Sequence, residues 1–248
     1  MRLTGHTIFI TGGSSGIGRA LAEQFHARGN QVIIGGRRAS LLADIANAHP
    51  GMAFIPLDIG DPDSIAAAAA RLLADFPKVN MLINAAGIQQ VDDPGSAIDD
   101  AALTAMVGIN FIGTVRMTSA LIEHFKRQDE AAILHVSSML GYLPLSQVSI
   151  YCATKAALHS FTLAQRYALR DTHVRVREII PPYVQTDLLN GKADERAMPL
   201  DRFIHDTMDA LAGEADEVIV PGAQERRNRL RGDEIAMTAA FNDMMGTI

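Results

Sequence analysis

The chain has 248 residues, 48% of them apolar, and a formal charge of −6 at neutral pH. Those values suit the single large core of an ordinary globular domain and argue against a phosphate-backbone partner, because nucleic-acid binders present a net basic face. One cysteine, Cys152, excludes an internal disulfide, no C-x-x-C or H-E-x-x-H spacing offers metal ligands, and no apolar run approaches the roughly 20 residues that cross a bilayer, so a cytoplasmic protein with neither membrane nor nucleic acid as partner is expected.

In chain order, short β-branched runs alternate with longer segments of helical period, the pattern of strand, helix, strand units that wind a parallel sheet. Strands are expected over residues 6–11, 31–35, 53–57, 81–84, 132–137, 174–179 and 217–220, and helices over 16–28, 40–48, 63–76, 99–127, 150–170 and 200–212. The predicted fold is α/β: one Rossmann-type domain over residues 1–248, a doubly wound parallel seven-stranded sheet with helices on both faces. Residues 187–200 read as a short substrate loop, and 221–248 as a C-terminal tail whose basic run, Arg226, Arg227, Arg229 and Arg231, is a solvated surface. Helices 99–127 and 150–170 carry apolar residues on more than one side, among them Leu158, Phe161, Leu163 and Tyr167. Such helices predict burial against a second subunit, hence a homodimer or homotetramer.

The first strand runs into Thr11-Gly12-Gly13-Ser14-Ser15-Gly16-Ile17-Gly18. A glycine turn that opens a helix aims its amides and the positive helix end above the sheet, where a pyrophosphate is the expected guest. Gly12, Ser14, Ser15, Gly16, Ile17 and Gly18 are the contacts expected there. The same letters spell G-x-S-x-G, the nucleophile elbow of serine hydrolases. That elbow follows a mid-sheet strand with oxyanion-hole glycines upstream, whereas here the chain has eleven residues before Gly12.

A carboxylate at the end of the second strand would accept the adenosine ribose hydroxyls and favour NAD. Gly36 stands there instead, followed by Arg37 and Arg38, and guanidinium groups suit a 2′-phosphate. NADP is the expected cofactor, with NAD as the alternative, and Arg37 the expected selector. Asp58, after the third strand, reads either as an acceptor for the adenine amino group or as turn chemistry before Gly60 and Pro62.

Tyr151 and Lys155 stand four apart on one helix face, where an ammonium is expected to lower the phenol pKa towards working pH. Ser138 ends the fifth strand thirteen residues before Tyr151, enough for a loop that returns to the same sheet edge, and its hydroxyl can hold a carbonyl oxygen there. By alternation Ser137 points to the other face. Cys152, one helical step round from Tyr151, reads as packing.

Together, Thr11-Gly-x-x-x-Gly16-x-Gly18, Asn84-Ala85-Ala86-Gly87, Asn110, Ser138 and Tyr151-x-x-x-Lys155 resemble the classical short-chain dehydrogenase/reductase family in order and spacing over about residues 6 to 190. The resemblance implies a hydride transfer between a nicotinamide and a small or medium carbonyl or secondary alcohol. Tyr151 would be general acid in reduction and base in oxidation, Lys155 would hold the nicotinamide ribose, Ser138 would polarise the substrate oxygen, and Asn110 would complete a water-linked proton relay. It implies cofactor contacts at Asn84, Ala85, Gly87, Pro181, Val184 and Thr186, and substrate contacts at Leu140 and Tyr183 besides Ser138 and Tyr151. Met139, Leu140, Leu143 and Leu145 read as apolar pocket walls or as core. The family's Pro-Gly after the sixth strand is Pro181-Pro182 here, which exchanges a flexible position for a stiff one, sets Tyr183 near the expected substrate mouth, and resembles the DltE-type branch. A rival of a different class is a cofactor-binding redox sensor or structural protein without turnover.

Overall fold

The computed structural model describes residues 2–189, 194–221 and 223–224; the basic run and nearly all of the 221–248 tail lie outside the described residues, as does part of the 187–200 loop. Seven strands, β1 Thr7–Thr11, β2 Gln31–Gly36, β3 Ala53–Pro56, β4 Met81–Asn84, β5 Ala131–Val136, β6 Val174–Ile179 and β7 Glu217–Val218, form one sheet in the order β3-β2-β1-β4-β5-β6-β7. Every pairing is parallel. The central strands are therefore continuously apolar, since helices cover both faces.

Alternation along β1 splits the core. Ile8 and Ile10 pack with Leu21 and Phe25 of α1 (Gly16–Ala27), Leu42 of α2 (Ala39–Ala48) and Phe203 of α7 (Leu200–Ala212). Phe9, between them, faces the other side with Leu72 of α3 (Pro62–Asp75) and Leu121 and Phe125 of α5 (Thr114–Phe125). Local signals set the helix starts: Asp61 accepts the Asp63 amide at 3.0 Å, and Pro62 opens α3 with no amide to lose. β1 lies between β2 and β4, where the winding direction reverses, so a crevice opens there beyond the carboxyl ends of the strands.

Two expectations are corrected. The helix expected over 99–127 is α4 (Asp100–Val107), a π-helical turn (Gly108–Gly113) and α5. The turn is held from both sides: Asn110 grips the backbone of Ile88, and a Cβ at Gly113 would stand 2.0 Å from the Ile59 carbonyl oxygen. By length and composition alone the 26-residue run Asp100–Phe125, in which an 18-residue window has mean hydropathy 1.4, could cross a membrane, but its Met117, Leu121 and Phe125 are buried against the sheet. The last strand is also shorter than the expected 217–220. Its pairing ends where the Ile180 amide donates to Val218, because Pro181 and Pro182 have no N–H to continue the ladder.

Arg177 of β6 is fully buried and uses its whole guanidinium as a cap. Nη1 donates to the Leu211 carbonyl at 2.7 Å, Nε to Ala215 at 2.9 Å, and Nη2 to Ala210 at 3.4 Å, so it closes the carboxyl end of α7. Arg177→Ala leaves those carbonyls without donors in a dry site. It is expected to lower stability by about 3 kcal/mol, read as a fall in the urea midpoint; a midpoint within experimental error of the parent contradicts this account.

Candidate active site

The glycine turn is built for close approach. Gly12 has φ +71°, and a Cβ on it would lie 2.8 Å from the Cα and N of Ala86; a Cβ on Gly18 would meet the Gly12 carbonyl oxygen at 2.5 Å. Thr11 Oγ1 accepts the amides of Ala85 and Ala86, each at 3.2 Å, and so locks this turn to the one after β4. Ser15 precedes α1 in extended conformation, and its side chain takes up none of the first-turn amides. Instead Arg38 donates to Ser14 and Ser15 Oγ, both at 2.7 Å. Ser14, Ser15, Gly16, Arg19 and Arg38 line a cleft of about 320 Å³ with Asp187. Unclaimed helix-start amides, glycines that no side chain could replace and a basic rim fit a dinucleotide diphosphate.

Arg38, and not Arg37, therefore makes the contact with the glycine turn, while Arg37 is exposed at the strand end. Asp58 makes the turn contacts that its place before Gly60 and Pro62 allows: Oδ1 accepts the Gly60 amide at 2.9 Å, and the Asp58 amide donates to Ser64. Asn84 ends β4 with Nδ2 on Thr118 Oγ1 at 3.0 Å and near His135 Nδ1 at 3.3 Å. Its Oδ1 is buried with no partner among the described residues.

Ser138, Tyr151 and Lys155 meet where β5 ends against α6 (Ser149–Ala168). All three are buried, Ser138 Oγ accepts the Leu140 amide at 3.1 Å, and the Ser138 hydroxyl is near enough to the Tyr151 phenol to oppose the effect of its burial. Lys155 Nζ lies 5.5 Å from the Tyr151 ring centroid and donates to the Val136 carbonyl at 2.8 Å. A Cβ at Gly87 would come within 3.4 Å of Asn110 Oδ1 and 3.8 Å of Lys155 Nζ, so Gly87 and Asn110 border the same space. Ser137 turns away, its hydroxyl towards the Ile179 carbonyl at 3.4 Å.

The electrostatics correct the expected phenol shift. Burial pushes Tyr151 up to about 12, with the nearby Ser138 hydroxyl pulling the other way, and burial pulls Lys155 down to about 8 against the attraction of Glu178. Desolvation thus outweighs the Ser138 hydroxyl at Tyr151. The result is a neutral phenol beside a hydroxyl and a cation, a group able to donate a proton to an oxygen bound there.

Thr186 reaches the glycine turn, its Cβ 3.6 Å from where a Gly16 Cβ would stand. The Pro181 carbonyl accepts the Met139 amide at 2.9 Å, and Val184 is buried in a bridge to Met198. Tyr183 does not turn inward: it is 42% exposed, and its hydroxyl donates to Asp194 Oδ2 at 3.2 Å, which fastens the base of the 187–200 loop. Among the expected walls Met139 is core, Leu140 packs near Tyr151, and Leu143 and Leu145 are exposed. Cys152 packs as expected, its sulfur taking the Leu145 amide at 3.3 Å.

Two residues near the site were given no task in it from the sequence. Asp92 accepts the amides of Ser149 and Ile150 at 2.9 and 3.0 Å and caps α6 from the loop after β4. Thr154 receives a bond from Asn110 Nδ2 at 3.2 Å. A cap drawn from 57 positions away leaves no local spacing to read. Thr154, by contrast, shares a helix face with Tyr151 at i+3, which is a usable signal.

A dinucleotide-type glycine turn at the switch point of a parallel sheet, with serine, tyrosine and lysine above β5, defines a nicotinamide-dependent oxidoreductase. The short chain dehydrogenase family profile matches residues 6–197. The chain belongs to this family and is an NAD(P)-dependent dehydrogenase or reductase. It is 35% identical over 239 residues to the uncharacterized oxidoreductase DltE of Bacillus subtilis, covering 94% of this chain and 95% of that protein. It is also 35% identical over 194 residues to an NADP-dependent 3-hydroxy acid dehydrogenase of Schizosaccharomyces pombe, covering 75% and 74% of the two chains. A short chain dehydrogenase from Burkholderia cenocepacia, solved in complex with NADP, superposes with TM-score 0.83 at 28% identity over 97% of this chain and 98% of its own.

Asn110 carries the join between the π-helical turn, the β4 loop and α6. Its Oδ1 accepts the Ile88 amide at 2.8 Å, and its Nδ2 donates to the Ile88 carbonyl at 2.9 Å. Asn110→Leu keeps the volume and strands both backbone groups, so a loss of about 3 kcal/mol is expected. Thermal unfolding at unchanged temperature would contradict that.

Proposed function

We propose that the protein is an NADPH-dependent carbonyl reductase for small or medium substrates, with Tyr151 as the proton donor. The observation that carries this reading is the meeting of Ser138, Tyr151 and Lys155 in one buried place, bordered by Gly87 of the loop after β4 to which the glycine turn is locked. A nicotinamide bound along that cleft supplies the hydride. Gly12, Ser14, Ser15, Gly16, Ile17 and Gly18 receive the diphosphate, and Asn84, Ala85, Gly87, Pro181, Val184 and Thr186 border the nicotinamide half. Ser138 orients the substrate oxygen, Tyr151 delivers a proton to it, and Lys155 lends positive charge to the site and binds the nicotinamide ribose; Leu140 lines the substrate side. Asn110 serves the relay through its backbone position, since its amide side chain is engaged with Ile88 and Thr154.

NADP is supported by Arg37 and Arg38 beside Gly36, and by the NADP in the names of the fission-yeast and Burkholderia relatives. A Cβ at Gly36 would find Ser14 Oγ at 3.6 Å and Leu42 at 3.9 Å, ordinary contacts, so packing does not forbid an acid there.

Reduction consumes the proton of a neutral phenol, which its value of about 12 preserves across the working range, while the Lys155 ammonium is lost as pH rises through about 8. NADPH oxidation with a carbonyl panel is therefore expected to be level up to about pH 7 and to fall through a limb near pH 8. Tyr151→Phe removes the donor and should cut turnover by at least about a hundredfold while NADP still raises the melting temperature. Full activity in that variant refutes the assignment, and NADP binding without turnover on any carbonyl supports the sensor reading instead. Gly36→Asp should weaken NADP at least about tenfold more than NAD; equal effects on both would remove the selector argument.

A further inference from the structure

Behind the reacting residues lies a buried cluster to which the proposed chemistry gives no task. Tyr151, Lys155 and His159 recur every four residues on one face of α6. His159 Nδ1 lies 2.8 Å from Glu178 Oε2 and 2.7 Å from the Tyr142 hydroxyl, which donates to Glu178 Oε1 at 3.5 Å. Glu178 is fully buried, and Tyr142 and His159 nearly so.

A carboxylate taken wholly out of water is costly unless a nearby charge needs it. The charged and titratable groups facing this one come from four sides. On β5, His135 stands opposite Glu178 in register, and burial pulls it down to about 4, so it is neutral at working pH. After β5 comes Tyr142. On β7, Glu217 lies opposite Glu178 in register. On α6 are His159, Arg166 and Lys155; Arg166 donates to the Val176 carbonyl at 3.0 Å and leans towards Asp216 at 3.7 Å. Arg177, next along β6, turns to the end of α7. Lys155 donates its ammonium to a neutral carbonyl, stands one turn of α6 before the His159 that Glu178 holds, and is attracted by the Glu178 charge.

We propose that Glu178 is a positioning residue, its carboxylate held by Tyr142 and His159 so that it keeps the buried Lys155 in the ammonium form. It touches neither substrate nor cofactor and acts through Lys155. The proposal rests on the reading of Lys155 as part of the reacting group, and it adds the source of its charge. The sign follows from Coulomb's law: attraction stabilises the ammonium, so without it burial acts alone and the proton leaves at lower pH.

Glu178→Gln keeps the shape and a hydrogen-bonding oxygen but no charge. The alkaline limb of NADPH oxidation is expected to move down by at least about half a pH unit, a roughly threefold loss of rate at a fixed pH on the limb. Glu178→Asp, which keeps the charge, should leave the limb nearer the parent. A folded Glu178→Gln protein with an unmoved limb overturns the proposal. Two measurements do not depend on turnover. The chain has four lysines, Lys78, Lys126, Lys155 and Lys192, so the Lys155 Nζ resonance can be assigned in 15N-lysine protein and titrated directly. A lower Lys155 titration in Glu178→Gln supports the proposal even if no carbonyl is ever turned over, which would separate its fate from that of the reductase reading. In the parent protein, the 13C carboxyl resonance of Glu178 should report the ionised form at neutral pH; a protonated Glu178 there overturns the proposal even if the variants fail to fold.

Discussion

The hydrogen bond from Lys155 Nζ to the Val136 carbonyl, 2.8 Å long, ties the middle of α6 to the end of β5 in a place that water barely reaches. A primary ammonium there has to be matched by oxygen atoms that the fold supplies, because desolvation otherwise drives it to the neutral amine. The neighbouring structure follows from that demand. Gly141 is glycine where the loop after β5 crosses the helix, since a Cβ on it would lie 3.0 to 3.1 Å from the backbone of Lys155 and Ala156. Asp92 fixes the start of α6 with both carboxylate oxygens, placing negative charge at the positive end of the helix. Asn110 anchors the π-helical turn against α6 through Thr154.

Burial acts on Tyr151 and Lys155 in opposite numerical directions for one reason: it disfavours whichever form is charged. The phenol stays protonated and the ammonium becomes easier to deprotonate. A neutral phenol is a donor, so the resting site is arranged for delivering a proton. Taking one from an alcohol requires a phenolate, which in this setting needs positive charge brought near the phenol oxygen. Under the proposed reading, the oxidative direction thus depends more on Lys155 than the reductive one does.

Much of this was legible in the sequence because its signals are local. The strand and helix periods placed β4 and β6 to the residue, and the expected start of α1 and both ends of α7 agree with those observed. Tyr151, Lys155 and Ser138 were readable from spacing on one helix and the end of one strand. What was not legible depends on groups far apart in the chain. The π-helical turn is set by Ile88 and Ile59, neither of which the periodicity of 99–127 contains. The direction of the Tyr151 shift is set by burial, which no spacing rule reports. Arg38 was preferred less than Arg37 from position alone, yet side-chain reach across the crevice puts its fork on Ser14 and Ser15.

The double proline finds its meaning in the same way. Pro181 and Pro182 end the β6 to β7 ladder, and the chain then pairs with itself: the Met198 amide donates to Tyr183 at 2.8 Å and the Gln185 amide to Met198 at 2.9 Å. Tyr183 closes the arrangement from its side chain through Asp194. A glycine in place of Pro182 would leave a hinge at the root of this segment, whereas proline fixes φ and the paired backbone opposes rotation. Swinging the base of the loop away would break these bonds together, so Thr186 is held above Gly16 in advance of any ligand. Under the proposed reading, holding Thr186 there preorganises one cofactor contact, and that cost falls on folding and not on binding.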